Sequence, residues 1–356
     1  MSDTLLLFGD ASSVHTRRWV HEMTARGLHC VVATRRPAVL ADAEVVALRP
    51  GADALGWFAA LPAVRALARR LRPRWVHGHY VTSYGLWAAA CRDIAPVVLT
   101  AWGSDLLVTP RERGWRGRLM HALVGRTLRR ASLVTADSRD LLQAARAYGT
   151  PARCEEVSWG ADTDRFVPGT PAPGFEVVSL RAWEPNYRIE TVLRAFATFV
   201  RRHPQVQAVL HLLGGGPDEA RLRGEASHLG IADRVRFTGR VGDDEMVATL
   251  QRCRVSISVP DSDATSVSVL ESMACGLPVV ASDLPSNRQW LDRELLVPRG
   301  DAGALAAALA RLHDDPGWAA AQGRRNRARV LEHASRRDEM DRMLALYRTV
   351  TAGERR

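Results

Sequence analysis

The stretch that decides the fold class covers residues 259 to 282 and reads VPDSDATSVSVLESMACGLPVVAS. Its pattern predicts a strand, a polar loop, a helix that begins just after Thr265 and Ser266, and a second strand over PVVAS. Serine and threonine often cap helices, and the free backbone N–H groups at a helix start bind anions with the help of the helix dipole. Asp263 lies in the loop, and Glu271 lies about one turn into the helix. The stretch therefore predicts an anion-binding turn with two carboxylates beside it.

The same alternation of strand and helix continues away from this stretch. Strands that alternate with helices indicate βαβ units and parallel sheets, an α/β fold class. Open sheets of this kind bind ligands in the loops that follow the strands, so we expect the chemistry there. The short apolar runs, which stretches of helical periodicity separate, occur at residues 5–8, 29–33, 75–77, 97–100, 133–136, 176–180, 208–214, 235–239 and 255–259.

A proline- and glycine-rich segment divides the chain into two halves of similar size. This segment, FVPGTPAPG at residues 166–174, has the composition of a linker. We therefore expect an N-terminal Rossmann-like domain over residues 1–165 and a C-terminal Rossmann-like domain over residues 175–335, both doubly wound and facing a central cleft. Residues 336–356 belong to a helical pattern that is expected to pack back on the N-terminal domain.

The basic residues of the chain are all arginines. There are 49 of them among 356 residues, against 39 acidic residues, which gives a net charge of +10. Without lysine, the chain has no Walker-type phosphate lysine, no Schiff base and no pyridoxal phosphate anchor. Arginine still offers a fork of donors that suits phosphate oxygens. The arginines are spread along the chain and accompany no nucleic-acid-binding motif, so we expect no nucleic acid partner.

Cysteine spacing and hydropathy indicate a cytoplasmic protein. The five cysteines are odd in number and form no CxxC pair, so neither a disulfide framework nor a structural zinc site is expected. The N-terminus, MSDTLLLFGD, carries Asp3 and no basic residue, unlike a secretory signal. No apolar run approaches the roughly 18 residues of a membrane span.

The glycine-rich turn GGGP follows the apolar run AVLHLLG. A dinucleotide-binding fingerprint that starts at Gly214 needs a third glycine at position 219, where this chain has Glu219, so nicotinamide binding is disfavoured. Three glycines after a strand either let a ribose or phosphate approach the backbone or simply form a tight turn.

Several of these segments together resemble one known family. The D-x7-E spacing followed by SMACGLPVVAS is similar to the E-x7-E signature and the EAMACGxPVVAS segment of the retaining glycosyltransferases of family 4, which have the GT-B fold. The likeness extends over nearly the whole chain. Further segments that resemble the family are SSVHTRRWVHEMTARG, HGHY, LTAWGSD, VSWGADTDRFVP, SLRAWEPNYRIETVLRAF, HLLGGGP and IADRVRFTGRV.

The resemblance implies transfer of a sugar, with retention at the anomeric carbon, from a UDP- or GDP-sugar to an acceptor nucleophile. The donor is expected mainly in the C-terminal domain and the acceptor mainly in the N-terminal domain. By family precedent, Arg181 binds the donor diphosphate and stabilises the leaving group, Asp263 contacts the donor sugar, and Glu271 binds the ribose hydroxyls. An epimerase or phosphorylase of the same fold, or a non-catalytic nucleotide-sugar binding protein, remains an alternative.

The resemblance also implies donor contacts from loop and backbone positions. Fixed donors aimed at the leaving oxygens lower the barrier without a metal. We therefore expect no metal and no cofactor besides the nucleotide sugar, since DSD at residues 261–263 occupies the signature loop and is not read as a metal motif. The remaining donor-binding positions are Gly214, Gly215, Arg240, Ser266, Val267 and Ser268.

The chain departs from the family pattern in the donor loop. Where the family usually has a lysine shortly after the loop arginine, this chain has Asn186, Tyr187 and Arg188. Either Arg188 replaces that cation, or Tyr187 donates a hydrogen bond to the phosphate. We expect Arg188 to take this role.

The N-terminal domain departs from the pattern as well. Trp102 stands where the family often has a histidine before GSD, and His79 or Asp105 is expected to replace it in part. His79 is either a catalytic or acceptor-orienting group or a packing residue, and Asp105 is either catalytic or a cap. The opening loop has Ser13 and His15 in place of a glycine pair, and with Trp102 these residues are expected to line the cleft.

Residues 111–130, RERGWRGRLMHALVGRTLRR, predict an amphipathic basic helix. Such a helix in the acceptor domain suits a bilayer surface, and with it a lipid-linked acceptor. The alternative is a normal helix that packs on the sheet and exposes a basic face, with a small-molecule acceptor. Peripheral membrane contact is thus a second expectation beside a cytoplasmic location.

Overall fold

The computed structural model describes residues 3–49, 55–107 and 114–350. The chain divides into two compact units: the first comprises Met1–Ser158 with Asp338–Arg356, and the second comprises Trp159–Arg337. The proline- and glycine-rich segment 166–174 thus lies inside the second unit. It is held there by the backbone, since Ala172 N donates to the Arg252 carbonyl at 2.9 Å.

The described part of the first unit contains one seven-stranded sheet, and its paired strands are parallel. Its strands are β1 (Thr4–Phe8), β2 (His29–Thr34), β3 (Glu44–Ala47), β4 (Trp75–His79), β5 (Val97–Ala101), β6 (Leu133–Ala136) and β7 (Arg153–Glu156). Its helices are α1 (Val14–Ala25), α2 (Leu55–Ala59), α3 (Leu61–Leu71), a π-helical turn (Tyr80–Tyr84), α4 (Gly85–Ala89), α5 (Ser104–Leu107), α6 (Trp115–Leu128) and α7 (Arg139–Arg146). The strand order is β3-β2-β1-β4-β5-β6-β7.

The second unit contains a six-stranded parallel sheet. Its strands are β8 (Phe175–Ser179), β9 (Ala208–Leu213), β10 (Val235–Gly239), β11 (Val255–Ser258), β12 (Val279–Ser282) and β13 (Leu296–Val297). Its helices are α8 (Ile189–Arg202), α9 (Glu219–His228), α10 (Asp243–Arg252), α11 (Val267–Ala274), α12 (Pro285–Arg288), α13 (Ala302–Asp314) and α14 (Pro316–His333), with 3-10 turns at Pro185–Tyr187, Ala232–Arg234 and Arg293–Leu295. The strand order is β10-β9-β8-β11-β12-β13.

Alternating side chains place a core on each face of the second sheet. Val177 of β8 packs in the cluster that includes α8 and α13, and its neighbour Val178 packs in the cluster that includes α11 and α14. Because successive strand residues point to opposite faces, a strand covered on both sides is apolar along most of its length. This explains the continuous apolar runs of the sequence.

The strand orders identify the edges where ligands bind. In the first unit the order reverses between β1 and β4, and in the second it reverses between β8 and β11. Ligands of open parallel sheets bind at the carboxyl ends of the strands beside such a reversal. The predicted fold class, two Rossmann-like α/β sheets, is confirmed.

The last helix, α15 (Arg336–Thr349), packs on the first unit. Tyr347 is fully buried, and its hydroxyl lies 2.5 Å from His77 Nδ1 and accepts a hydrogen bond from Trp19 Nε1 at 3.3 Å. Trp75 Nε1 donates to the carbonyl of Val350 at 3.1 Å. These buried polar contacts fix the helix on the first sheet. Among the described residues, no helix is both long enough and apolar enough to cross a membrane.

Candidate functional site

A buried arginine lies at the switch point of the second sheet. Arg181 follows β8, and its Nη2 donates to Asp263 Oδ2 at 2.7 Å in the loop after β11. Its Nη1 donates to the hydroxyls of Ser266 and Ser268 at the start of α11. Its guanidinium carbon lies 4.3 Å from the ring centre of Tyr187. We refer to these five side chains as the Arg181 cluster.

The Arg181 cluster holds a cation beside a helix N-terminus. Arg181 is only 9% exposed, and its Nε has no hydrogen-bond partner among the described residues. Burial raises the pKa of the Asp263 carboxyl, while the guanidinium of Arg181 opposes that rise. α11 begins at Val267, and the first backbone N–H groups of a helix lack intrahelical acceptors. The cluster can therefore donate several hydrogen bonds to an anion.

Asp261, the other aspartate of the DSD sequence, also forms an ion pair with an arginine. Asp261 accepts from Arg188 Nε at 2.7 Å, and Arg188 Nη1 lies 3.6 Å from Glu190. Arg188 has a positive φ of 50°, a backbone conformation that residues other than glycine rarely adopt. The predicted substitute for the family lysine is thus half-exposed and paired with two carboxylates, whereas the alternative residue, Tyr187, stacks on Arg181.

The glycine-rich turn packs against the Arg181 loop. A Cβ atom at Gly214 would lie 2.3 Å from the Arg181 carbonyl oxygen, and one at Gly216 would lie 2.3 Å from that of Trp183. Trp183 N also donates to the Gly215 carbonyl at 3.1 Å. This backbone packing requires glycine at positions 214 and 216. The sequence had suggested either close approach to a ligand or a tight turn, and neither interpretation included packing against the Arg181 loop. Gly215 faces the exposed side chain of Arg240 instead.

Glu271 has a partner that the sequence did not suggest. Its side chain is buried on α11, and Oε1 lies 3.8 Å from Nη2 of Arg336, a side chain that is 11% exposed. The backbone of Arg336 packs closely against Gly160, where an added Cβ would lie 2.6 Å from Arg336 N. Arg336 lies 65 positions after Glu271 in the chain, so no local spacing could have predicted the pair.

Groups with metal-ligand spacing occur elsewhere in the second unit. Within the described ranges they are Glu176 with His211 and Cys253, and His203 with His313 and Asp314. Neither group includes Asp261 or Asp263. In the first of them Arg252 also binds Glu176, at 2.8 Å.

Aromatic and imidazole rings gather at the carboxyl ends of the first sheet. The ring centre of Trp102 lies 4.9 Å from that of His15, 5.3 Å from that of His79 and 5.3 Å from that of Tyr80. We call these four side chains the ring cluster. It brings together three of the predicted residues and adds Tyr80, which the sequence reasoning missed although the quoted HGHY segment ends with it.

Burial keeps His79 and Tyr80 of the ring cluster uncharged near pH 7. Burial lowers the pKa of His79 from 6.5 to about 3, with a smaller contribution from His15, so the imidazole is neutral near pH 7. Burial also raises the pKa of Tyr80 to about 12. Tyr80 has a positive φ of 66° and opens the π-helical turn. Such backbone strain is typical of functional sites.

Asp105 and Ser13 bind backbone groups. Asp105 Oδ2 accepts from Val81 N at 2.7 Å, and its Oδ1 accepts from the N–H groups of Trp102 and Gly103, both at 3.0 Å. The geometry therefore favours the capping alternative for Asp105 over the catalytic one, because both oxygens are occupied. Ser13 is the N-cap of α1 and accepts from the backbone N–H of residue 15 at 3.2 Å.

The predicted basic helix is partly described, because residues 111–113 lie outside the described ranges. In α6, Val124 and Leu128 are fully buried, whereas Trp115 is 70% exposed and Leu119 is 63% exposed. The helix thus packs by one face, as a normal helix does, and also presents two large apolar side chains to solvent.

Two Rossmann-like units, the second with a buried arginine and a helix N-terminus at its switch point, define a protein of the GT-B fold class. Residues 4–138 match the family described as Glycosyl transferase 4-like, and residues 161–329 match Glycosyl transferases group 1. The chain belongs to this glycosyltransferase family, which confirms the resemblance seen in the sequence.

Two relatives with assigned activities match about half of the chain. The D-inositol 3-phosphate glycosyltransferase of Acidothermus cellulolyticus is 31% identical over 51% of this chain and 45% of its own length. The GDP-mannose-dependent alpha-(1-6)-phosphatidylinositol monomannoside mannosyltransferase of Mycolicibacterium smegmatis is 32% identical over 50% of this chain and 52% of its own length. The chain thus spans about half the length of these curated relatives.

Solved structures share the fold over almost the whole chain. Sucrose-phosphate synthase from Thermosynechococcus elongatus has a TM-score of 0.82 and 20% identity, with 98% of each chain covered. Anabaena HepE in complex with UDP has a TM-score of 0.80 and 17% identity, with 98% of this chain and 100% of HepE covered. At these identities the likeness concerns the fold.

Proposed function

We propose that this protein transfers a sugar from a UDP- or GDP-sugar to an acceptor, with retention at the anomeric carbon and without a metal. The observation that carries the proposal is the Arg181 cluster, a buried cation beside the start of α11 at the switch point of the second sheet. Family membership supports it, as do the names of the relatives, one GDP-mannose-dependent and another crystallised with UDP.

The chemistry needs stabilisation of negative charge on the leaving diphosphate. The free Nε–H of Arg181 and the first amides of α11, at Val267 and Ser268, are the donors that we assign to the phosphate oxygens. Donors that are already fixed in place need no reorganisation during the reaction, and the loss of one costs about 3 to 4 kcal/mol in comparable sites. The pairing of both DSD carboxylates with arginines supports a mechanism in which these carboxylates bind no metal.

The remaining donor contacts follow from the surroundings of the cluster. We assign Asp263 to orienting Arg181 and contacting the donor sugar, and Glu271 to the ribose hydroxyls, held in place by Arg336. The Arg240 backbone and Gly215 are assigned to the base side of the nucleotide. Arg188 is assigned a supporting positive charge, since two carboxylates already engage it.

We assign the acceptor to the ring cluster of the first unit. Trp102 and Tyr80 present flat apolar faces, which suit the C–H faces of a sugar or inositol ring. Neutral His79 can orient an acceptor hydroxyl but carries no charge to balance a phosphate. The names of the relatives, which act on D-inositol 3-phosphate and on a phosphatidylinositol mannoside, support a small polyol or a lipid-linked acceptor.

We also propose peripheral contact with a membrane through α6, from a cytoplasmic location. Exposed Trp115 and Leu119 and the exposed arginine between them, Arg118, form the combination that an anionic bilayer surface attracts. A lipid-linked acceptor would be reached from that position.

The proposed function is tested by product analysis with the full chain. UDP- and GDP-sugars are incubated with inositol phosphate or phosphatidylinositol acceptors, in EDTA, and the anomeric configuration of the product is read by NMR. We expect a glycoside with the donor's configuration, formed only when the acceptor is present. An inverted product, activity that EDTA abolishes, or conversion of the donor sugar without an acceptor would contradict the proposal.

A further inference from the structure

An apolar cavity lies in the second unit, away from the Arg181 cluster. It has a volume of about 910 Å³. Its wall includes Phe175 at the start of β8 and the residues just before three other strands, Gln207, Arg254 and Pro278. Because the strands are parallel, their amino ends share one edge of the sheet, whereas Arg181 follows the carboxyl end of β8. The cavity is therefore at the opposite edge of the sheet from the Arg181 cluster.

The walls of this cavity are those of a ligand site for an apolar chain. The proline-rich segment contributes Pro168, Pro171 and Pro173, and α14 contributes Leu331, which is 45% exposed. Ligand pockets in proteins have volumes of roughly 300 to 1,000 Å³ and are mainly apolar with a few polar groups. The volume and composition of the cavity fall in this class.

The polar groups of the cavity include three arginines, and its described lining includes no aspartate or glutamate. Arg254 donates from Nε to the Gly174 carbonyl and from Nη2 to the Ala172 carbonyl, both at 2.9 Å, and Arg327 donates to backbone carbonyls as well. These bonds fix the guanidinium groups but leave their charges uncompensated. The lining thus has a positive potential on an apolar wall.

The arginines of α14 lie on two faces of the helix, one that pairs with Asp292 and one that lines the cavity. Arg325 and Arg329 both pair with Asp292, at 3.2 and 3.1 Å. Arg324 and Arg327, which line the cavity, have no carboxylate within ion-pair distance among the described residues. Since so many arginines of this chain have an acidic partner, the unpaired ones at one cavity are a distinguishing feature of that surface.

From this arrangement we infer that the cavity binds a single-chain amphiphile with an anionic head group. The apolar wall of prolines, Phe175 and Leu331 takes the chain, and the guanidinium forks take the carboxylate or phosphate. A nucleotide sugar does not suit the site, because its many hydroxyl groups would lie against apolar walls without partners. This binding does not depend on the proposed sugar transfer.

The test measures binding of defined amphiphiles by isothermal titration calorimetry, below their critical micelle concentrations. Dodecyl phosphate and dodecanoate are compared with inorganic phosphate and with a neutral dodecyl maltoside. We expect one saturable site for dodecyl phosphate, dodecanoate or both, and binding that is at least about tenfold weaker for inorganic phosphate and for dodecyl maltoside. The two anionic arms distinguish a phosphate head group from a fatty acid.

Matched variants identify the site. Arg324→Gln, which removes an unpaired cation, is expected to weaken binding roughly tenfold. Arg325→Gln, the adjacent position on the other face of α14, is expected to leave binding unchanged. Ala320→Trp, which adds a bulky side chain at an exposed position of the lining, is expected to abolish binding, with an unchanged far-UV circular dichroism spectrum and melting temperature as evidence of folding. No saturable binding, equal binding of dodecyl maltoside, or equal effects of the Arg324 and Arg325 variants would overturn the inference.

Discussion

The side chains at the carboxyl ends of the two sheets differ in charge. In the second unit, Arg181 is charged, buried and bound by Asp263 and two serine hydroxyls. In the first unit, buried His79 is neutral and lies among aromatic rings. We therefore propose that the same sheet architecture supports a site for anions in one unit and a site for uncharged rings in the other. The strand order gives the position of each site, and the loop residues determine its chemistry.

The largest expected effect tests the charged side of this comparison. Arg181→Ala removes the fixed cation, so kcat/KM for sugar transfer should fall by roughly a hundredfold to a thousandfold, as for the loss of one transition-state donor. Steady-state kinetics measures the change. Arg223→Ala, at an exposed pair with Glu219 on α9, is the matched control and should change kcat/KM little.

The next effect tests whether the glycine turn supports the Arg181 loop. Gly214→Ala places a methyl group 2.3 Å from the Arg181 carbonyl, so the free energy of unfolding should fall by about 1 to 3 kcal/mol. Denaturant unfolding measures it. Gly224→Ala in α9 meets no atom within 4 Å and should stabilise the protein by about 0.5 to 1 kcal/mol. Equal effects of the two variants would show that the turn does not pack as described.

A pH titration of stability tests the neutral side. Burial lowers the pKa of His79 from 6.5 to about 3, so between these pH values the unfolded chain binds a proton that the folded chain does not. The free energy of unfolding should therefore fall as the pH drops below 6.5, by about 1.4 kcal/mol per pH unit for this group. His79→Phe should remove that share of the slope. An unchanged slope would mean that His79 is not buried as a neutral group.

The smallest expected effect concerns α6. Replacing exposed Trp115 and Leu119 with serine should weaken cosedimentation with anionic vesicles by roughly fivefold, because the apolar contact is lost and the arginines remain. Val39→Ser, at an exposed apolar residue outside α6, is the control. Vesicle binding that does not depend on anionic lipid would contradict the proposed contact.

Sequence patterns predicted the fold and, with the family resemblance, selected side chains that the structure brings together at the proposed donor site. The apolar runs predicted strands in both halves of the chain, and the stretch 259–282 predicted the turn at which α11 begins. The family resemblance selected Arg181, Asp263 and the two serines, and the structure brings these four side chains into contact. The residues that adjacent strands present at one sheet edge are predictable, because a parallel sheet brings its carboxyl ends together.

Partners that depend on tertiary packing were not predictable. The Asp105 carboxylate binds three backbone N–H groups, and this follows from the path of the loop around it. The pairing of Glu271 with Arg336 and the approach of Gly214 to the Arg181 carbonyl likewise join distant segments. The segment 166–174 has the composition of a linker but packs within the second unit, since composition describes backbone freedom and not the contacts that remove it.

Chemical rescue of Arg181→Ala tests the central claim most directly, namely that a cation at this position stabilises the leaving diphosphate. The transfer rate of the variant is measured against added guanidinium at concentrations that leave the fold intact, with wild type and Arg223→Ala, the exposed control on α9, in parallel. We predict that guanidinium restores roughly tenfold or more of the lost rate in Arg181→Ala and raises neither of the other two rates. A variant that guanidinium does not rescue, or one that keeps near-normal activity without it, would contradict the account.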